Sequence, residues 1–556
     1  MKMRLLSFVG VVGLFIALSG QGLSRERQSQ ASGAWSLSGN GGTSAGANFL
    51  GTTDNQALEL KVNRARALRL EPNAVSPNII GGAAVNTATG GVAGATISGG
   101  GSSDGPNRVT DLFGVVGGGL NNRAGDNDGD PTNQRYATVG GGVRNTASGF
   151  TATIGGGNVN TASGKQSTVA GGEFNVASGL EATVGGGHGN IASGEDAVIS
   201  GGRNNETGAD STTIGGGIDN RATANNATVA GGSINEANGN ASTISGGRNN
   251  SASHDLSVIA GGVSNVASGK AAAVGGGAGN RAVADTATIA GGEGNEATGR
   301  YSTVSGGTGN SASGIAATIG GGESNRAKGM HSFVAGYGGL AWHDGAFVWS
   351  DNTTYNPADN SNIFVESTGP NQFVARASGG VIFYSNRELT SGVALPAGGG
   401  AWSALSDRNA KDNFSPVDQR ALLERLASIP IQTWNYKSQD ATIQHIGPSA
   451  QDFALAFGLG EDNRHISTVD ADGVALAAIQ GLYQIVQHKD AEIATLEHDN
   501  QALEARLVAL EQRASSGGFE QSDSGGPAAL AGLVTLSVGL TALLIALHRQ
   551  DAARRS

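Results

Sequence analysis

The sequence predicts a mainly β chain: a parallel β-roll or solenoid of 15-residue repeats, then a small α+β domain, a coiled coil and a C-terminal transmembrane helix. Three observations carry this reading. Val or Ile recurs at every fifteenth position from Val139 to Val334, and Asn does the same from Asn145 to Asn325. Glycine supplies 93 of 556 residues while aromatic residues make up 5%, too few for several conventional globular cores. From Ile479 onward apolar positions alternate in steps of three and four, ahead of an uncharged apolar run from Ala528 to Leu547.

In chain order, residues 1–20 read as an export signal, with Lys2 and Arg4 before an apolar run from Leu5 to Leu18 and small residues after it. The expected location is therefore outside the cytoplasm. Cysteine is absent, which excludes disulfides and thiolate metal or redox sites. The net charge of −11 is spread without a basic stripe, which argues against nucleic acid as a partner. Residues 21–78 are polar, and the alternation near Leu58-Glu59-Leu60-Lys61-Val62 suits one or two short strands.

The repeat occupies residues 79–336, with degenerate copies at Ile80, Ile97 and Val116 opening the array. A disordered low-complexity linker has no reason to hold a branched apolar residue and an Asn at fixed phase, so the strict register argues for stacked coils. Fifteen residues suffice for two very short strands and their turns. The paired glycines permit a positive-φ turn, and the Asn either tolerates a left-handed conformation or hydrogen-bonds across the turn; stacked copies would form a ladder. Val, Ile and the recurring Ala are expected inside. One buried Val or Ile contributes about 1.5–3 kcal/mol, small against the ordering of a whole coil, so a lone solenoid this thin is expected to be marginal. At about 4.8 Å per rung, some sixteen coils make a rod on the order of 75 Å. No helix-length periodicity follows the glycines as a phosphate loop requires, and no Asp stands at fixed phase as calcium-binding nonapeptides require, so no cofactor or metal is expected.

Residues 337–404, where Trp342, Phe347, Trp349 and Phe373 appear, read as a neck of short strands; His343 and Asp344 alone make no metal site. The run Pro396-Ala397-Gly398-Gly399-Gly400 reads as a flexible approach to Leu405. Residues 405–478 carry the candidate chemistry. Ser406 and Lys411 are five apart, too far round a helix to stack, yet a loop or bent entry can bring Nζ within reach of Oγ. A serine nucleophile needs a base, and a lysine amine serves when its surroundings favour the neutral form. Val417 to Leu426 suits a short helix and Ile431 to Tyr436 a strand. His445 and Gly447-Pro448 form a turn that either donates to a developing oxyanion or simply packs, leaving His445 and Asp407 as supporting candidates.

The heptads of residues 479–513 suggest a parallel coiled coil, with Lys489 and Asn500 as polar register-setting positions. Residues 514–527 are a Gly/Ser linker. The apolar run 528–547 is long enough to cross a bilayer and is followed by a basic tail, 548–556, that fits the positive-inside rule.

The ordered series Ser406-Asp407-Arg408-Asn409-Ala410-Lys411-Asp412-Asn413-Phe414, Thr433-Trp434-Asn435-Tyr436, His445 to Phe453 and Asp470-Ala471-Asp472-Gly473-Val474 closely resembles the self-cleaving intramolecular chaperone domain of phage endosialidase tailspikes and of the myelin regulatory factor family. The resemblance implies a trimeric domain that helps the preceding fibre trimerise and then cuts the chain once. It implies Ser406 as nucleophile, Lys411 as base and Leu405-Ser406 as the scissile bond. The repeat, for its part, resembles the β-roll of trimeric autotransporter adhesin heads, its Gly-Gly-x-x-Asn turn being a departure. Together these imply a homotrimeric surface or secreted fibre, anchored to a membrane through its C-terminal helix until cleavage, with its shaft outside the cell. An adhesin with a cell-surface or glycan ligand is the expected role; the alternative is a structural fibre without a specific ligand, its C-terminal domain being only a trimerisation module.

Overall fold

The computed structural model describes residues 35–353, 355–356 and 361–516. The expected export signal, the transmembrane run 528–547 and its basic tail lie outside the described residues. Among the described residues no helix is long and apolar enough to cross a membrane. The chain divides into two compact units, residues 1–380 and 381–556.

The first unit opens with the expected short strands, Leu58–Val62 and Ala65–Glu71, paired antiparallel. The second of them leads into Asn78–Gly81, and from there the chain winds into a parallel β-solenoid of about 18 turns. Each regular coil contributes two two-residue strands, such as Thr153–Ile154 and Thr161–Ala162, each pairing in parallel with its equivalent fifteen residues away. A third contact line runs through single-residue bridges, for instance Asn158 to Glu173 and Glu173 to His188. The degenerate copies join the same ladder, Ile80 opposite Ile97 and Ile97 opposite Val116. The ladder also continues past the expected end of the repeat: Phe333–Tyr337, Phe347–Ser350 and Phe373–Arg376 pair in parallel, so much of the sequence-defined neck belongs to the shaft.

Period two explains the packing. In each two-residue strand the first side chain points out and the second points in. The inward residues are Val or Ile on one strand and Ala or Thr on the other, all fully buried along the array, joined by a second buried small residue such as Ala152 or Ser167. The single chain therefore closes its own core, without help from neighbouring copies. The expectation of marginality counted the branched residue alone; the structure adds the small-residue rows and an internal Asn ladder.

That ladder resolves the role left open for the Asn. It is not left-handed; the residue before it is, as at Val159 and Phe174. The Asn is buried instead, and its side chain bridges the backbone of its own coil and the next. Asn220 Nδ2 donates to Gly216 O at 2.9 Å and to Gly232 O at 3.0 Å, while its Oδ1 accepts from the Asn235 backbone N–H at 3.0 Å. Buried carbonyls that no strand could satisfy thus find donors in every coil. The glycine that closes the paired-Gly turn is fixed by the same crowding. Gly157 sits at φ +96, and an added Cβ would collide with the carbonyl oxygen of Gly172.

The second unit is small and far less buried. A three-stranded sheet runs from Gly380–Tyr384 through Gly392–Pro396 to Ser403–Ala404. Helix α1 (Gln419–Ser428) is capped by Asp418, whose carboxylate accepts from the N–H groups of Arg420 and Ala421. Helix α2 (Ala450–Phe457) starts at the Ser449 cap and stops at left-handed Gly458. Helix α3 (Thr468–Ser516) runs unbroken for 49 residues, so the sequence boundary at 478/479 corresponds to no interruption. Leu422, Phe453, Val474 and Ala478 form the buried core, which places the motif at 470–474 against α1. Gly481 allows this approach, since a Cβ there would stand 2.5 Å from Gln419 O.

Candidate active site

Ser406 and Lys411 are brought together by one turn of 3-10 helix, Arg408–Ala410. Asp407 makes that turn form: its carboxylate caps the open end, accepting from the Asn409 backbone N–H at 2.8 Å and from Asn409 Nδ2 at 3.1 Å. The turn closes with Ala410 N–H donating to Asp407 O at 3.1 Å and Lys411 N–H to Arg408 O at 3.3 Å. Lys411 then leaves in an extended conformation and its side chain reaches back, Nζ lying 2.5 Å from Ser406 Oγ. A spacing of five, unsuited to a regular helix face, is met by a short tight turn between extended residues. Arg408 lies over the Phe414 ring at 4.8 Å, bracing the same turn from its other side.

The residue before the serine is held too. Leu405 N–H donates to Gly392 O at 3.0 Å, continuing the pairing of Ser403–Ala404 with Val393 and Ala394. The run 396–400, expected as a flexible approach, is instead the turn of this hairpin, closed by Gly399 N–H donating to Pro396 O at 2.9 Å. Leu405 thus reaches the serine from an ordered strand end, and the order comes from pairing that lies upstream of the motif.

His445 is placed elsewhere. It faces Trp434 across the antiparallel pair Gln432–Trp434 and His445–Gly447. Its ring centroid lies 4.9 Å from that of Trp434 and 5.5 Å from that of Tyr436, and Nε2 lies 2.8 Å from Gln439 Oε1. No hydrogen bond joins His445 or Asp407 to Ser406 or Lys411. In the single chain His445 packs the hairpin and Asp407 caps the turn; neither serves as a donor to the serine side chain. Gln439 and Gly392 O, which support these arrangements, carried no local sequence signal because each acts only through a fold-dependent partner.

Ser406 and Lys411 are both exposed, and so are apolar side chains of the same unit, Phe414 after the turn and Trp434 and Ile446 of the hairpin. The arrangement holds Nζ and Oγ at hydrogen-bond distance but leaves both open to water.

Residues 406–458 match the family described as chaperone of endosialidase, so that a β-solenoid shaft of about 18 turns is followed by a segment of this family. The match begins at Ser406 and ends at the glycine that caps α2. No curated protein matches the chain.

Proposed function

We propose that the chain is an exported trimeric surface fibre, an adhesin, whose C-terminal segment trimerises the shaft and then cuts the Leu405-Ser406 bond. The observation that carries the reading is the hydrogen bond from Lys411 Nζ to Ser406 Oγ, located at the first residue of the family match. Trimerisation is what the family implies. It is supported here by the heptad seam of α3, where Ile479, Leu482, Val486, Ile493 and Leu496 are all exposed in the single chain. Anchoring through residues 528–547 and export through residues 1–20 rest on sequence alone.

The chemistry balances within one chain. Lys411, as the neutral amine, takes the Oγ proton while Oγ attacks the carbonyl carbon of Leu405, closing a five-membered ring through Cβ, Cα and N of Ser406. Lys411 returns the proton to the departing Ser406 nitrogen, leaving the Leu405 acyl group as an ester on Oγ. Water then hydrolyses the ester, giving a Leu405 carboxylate and a Ser406 chain with a free amine and its hydroxyl restored. A lysine is neutral more readily where water is excluded. Packing of the exposed apolar surface against two further copies would supply that exclusion and make cutting follow assembly.

Expression of residues 21–527 and denaturing gel electrophoresis test this directly. Two fragments are expected, the smaller beginning at Ser406 by N-terminal sequencing. Ser406→Ala and Lys411→Ala should each leave a single full-length band while the native mass stays that of three chains. A smaller fragment that persists in both variants would defeat the dyad. A full-length band in all three proteins would leave the segment as a trimerisation module.

A further inference from the structure

Besides its turn corners, which carry charges such as Lys165, Glu181 and Asp285, the solenoid has outward rows on its two strands and its bridge line, and these differ in charge. On the second strand the outward position carries Glu206, Arg221, Glu236, Arg281 and Glu296, with Arg221 and Glu206 paired at 3.3 Å. The bridge row carries Glu173, Arg203, Arg248, Glu293 and Glu323. The outward row of the first strand carries no charge on any rung. It is Thr from Thr138 to Thr318 except at Val198, Val258 and Ala273. It is Ile79 at the start of the array, and it ends in Phe333, Phe347 and Phe373, stacked with centroids 4.8 and 4.9 Å apart. Phe373 is 70% exposed at the end of that stack. Beside this row, two residues on, stand only Gly, Ala or Ser from Gly140 to Ala335. The result is a flat, neutral strip along the whole shaft, capped by apolar side chains at both ends.

We infer that this Thr and small-residue face is where three copies of the shaft meet around their common axis. The inference rests on the trimeric reading above and adds the surface that performs it. Burying a charge without a partner is costly, so a row lying against other chains must be neutral on every rung, while rows facing water need not be. Small side chains let backbones approach closely, and Thr hydroxyls can pair across copies without a charge. The size also fits. About 18 rungs at ~4.8 Å give a strip on the order of 85 Å long, and a width of about 10 Å makes roughly 850 Å² per copy, as much surface in total as the ~800 Å² one partner of a stable interface buries, divided here between two neighbours.

The chain's lack of cysteine makes the face addressable. In the full chain, Thr228→Cys on the neutral row, Arg221→Cys on the charged row and Ser233→Cys on the bridge row would each be treated with a short bis-maleimide. Native mass would be measured in parallel by light scattering. The expected result is a mass of three chains for all, with the shaft band of Thr228→Cys largely converted to joined chains and the other two left single. A three-chain mass with cross-linking at Arg221→Cys or Ser233→Cys in place of Thr228→Cys, or at none of them, overturns the face while the trimer stands. A single-chain mass removes the trimeric reading itself.

Discussion

In the shaft, the Val or Ile at every fifteenth position from Val139 to Val334 is buried by the coils before and after it, whereas along α3 Ile479, Leu482 and Val486 stand exposed. The two regions obey the same physics with different partners. A coil finds its partner fifteen residues away in its own chain, so each repeat completes the one before it. Among its described residues the C-terminal unit has four buried core residues and a long apolar seam that they leave exposed. On the trimeric reading proposed above, a shaft that closes its own core needs a chaperone for alignment of copies more than for folding of each copy.

Four substitutions would break or sharpen this contrast. The largest effect is expected at Gly157→Ala, where the Cβ meets the next coil's carbonyl at φ +96; a loss of about 4 kcal/mol from the shaft's thermal transition is expected, with no change at neighbouring Gly156→Ala, which has open space. Next is Asn220→Ala. It strips donors from Gly216 O and Gly232 O and an acceptor from Asn235 N–H, a cost of about 3 kcal/mol in denaturant unfolding, against almost none for exposed Asn225→Ala, which lies outside the left-handed region.

Leu422→Ala removes one of four core side chains from the C-terminal unit, a cost of about 2 kcal/mol. Because that core is so small, the yield of cut chain on a gel should fall while the shaft's circular dichroism is unchanged. If Leu422→Ala lowered the shaft transition instead, the independence of the two units would be lost.

The smallest effect concerns the end of the shaft and is read by acid. Burial of the Asp351 carboxyl would by itself raise its pKa, but hydrogen bonds from Thr353 and Ser378 outweigh it, and Arg376 lies 3.1 Å away, so the group is held well below the usual carboxylate range. Its contribution to stability is therefore complete above the unfolded value and fades as the pH falls below about 4 toward the folded one. Thermal melting should show that loss in the native chain and not in Asp351→Asn.

The repeat was legible because its signal is periodic: one apolar residue, one Asn and paired glycines at fixed phase leave few arrangements besides stacked coils. The helices were legible as well, α1 from the pattern at 417–426 and α3 from its heptads. The Ser406-Lys411 pairing was legible as a chemical pairing and through resemblance, but its geometry was not, since it depends on the Asp407-capped turn. The hairpin at 396–400 and the packing role of His445 escaped for another reason. Glycine and proline mark a turn without saying which strands it joins, and a histidine's neighbours are chosen by strand pairing.

What the sequence determined by itself, then, is the period of the shaft, the inward and outward alternation, and the residue types of the candidate dyad, all of them local or repeating properties of the chain. Only the tertiary structure decided that Asn satisfies carbonyls of adjacent coils, that the ladder continues through Phe373, and that the outward row of the first strand lines up as a neutral strip from end to end. Those features arise between residues that the winding of the chain brings side by side, and each needs the register of neighbouring coils before it can be seen.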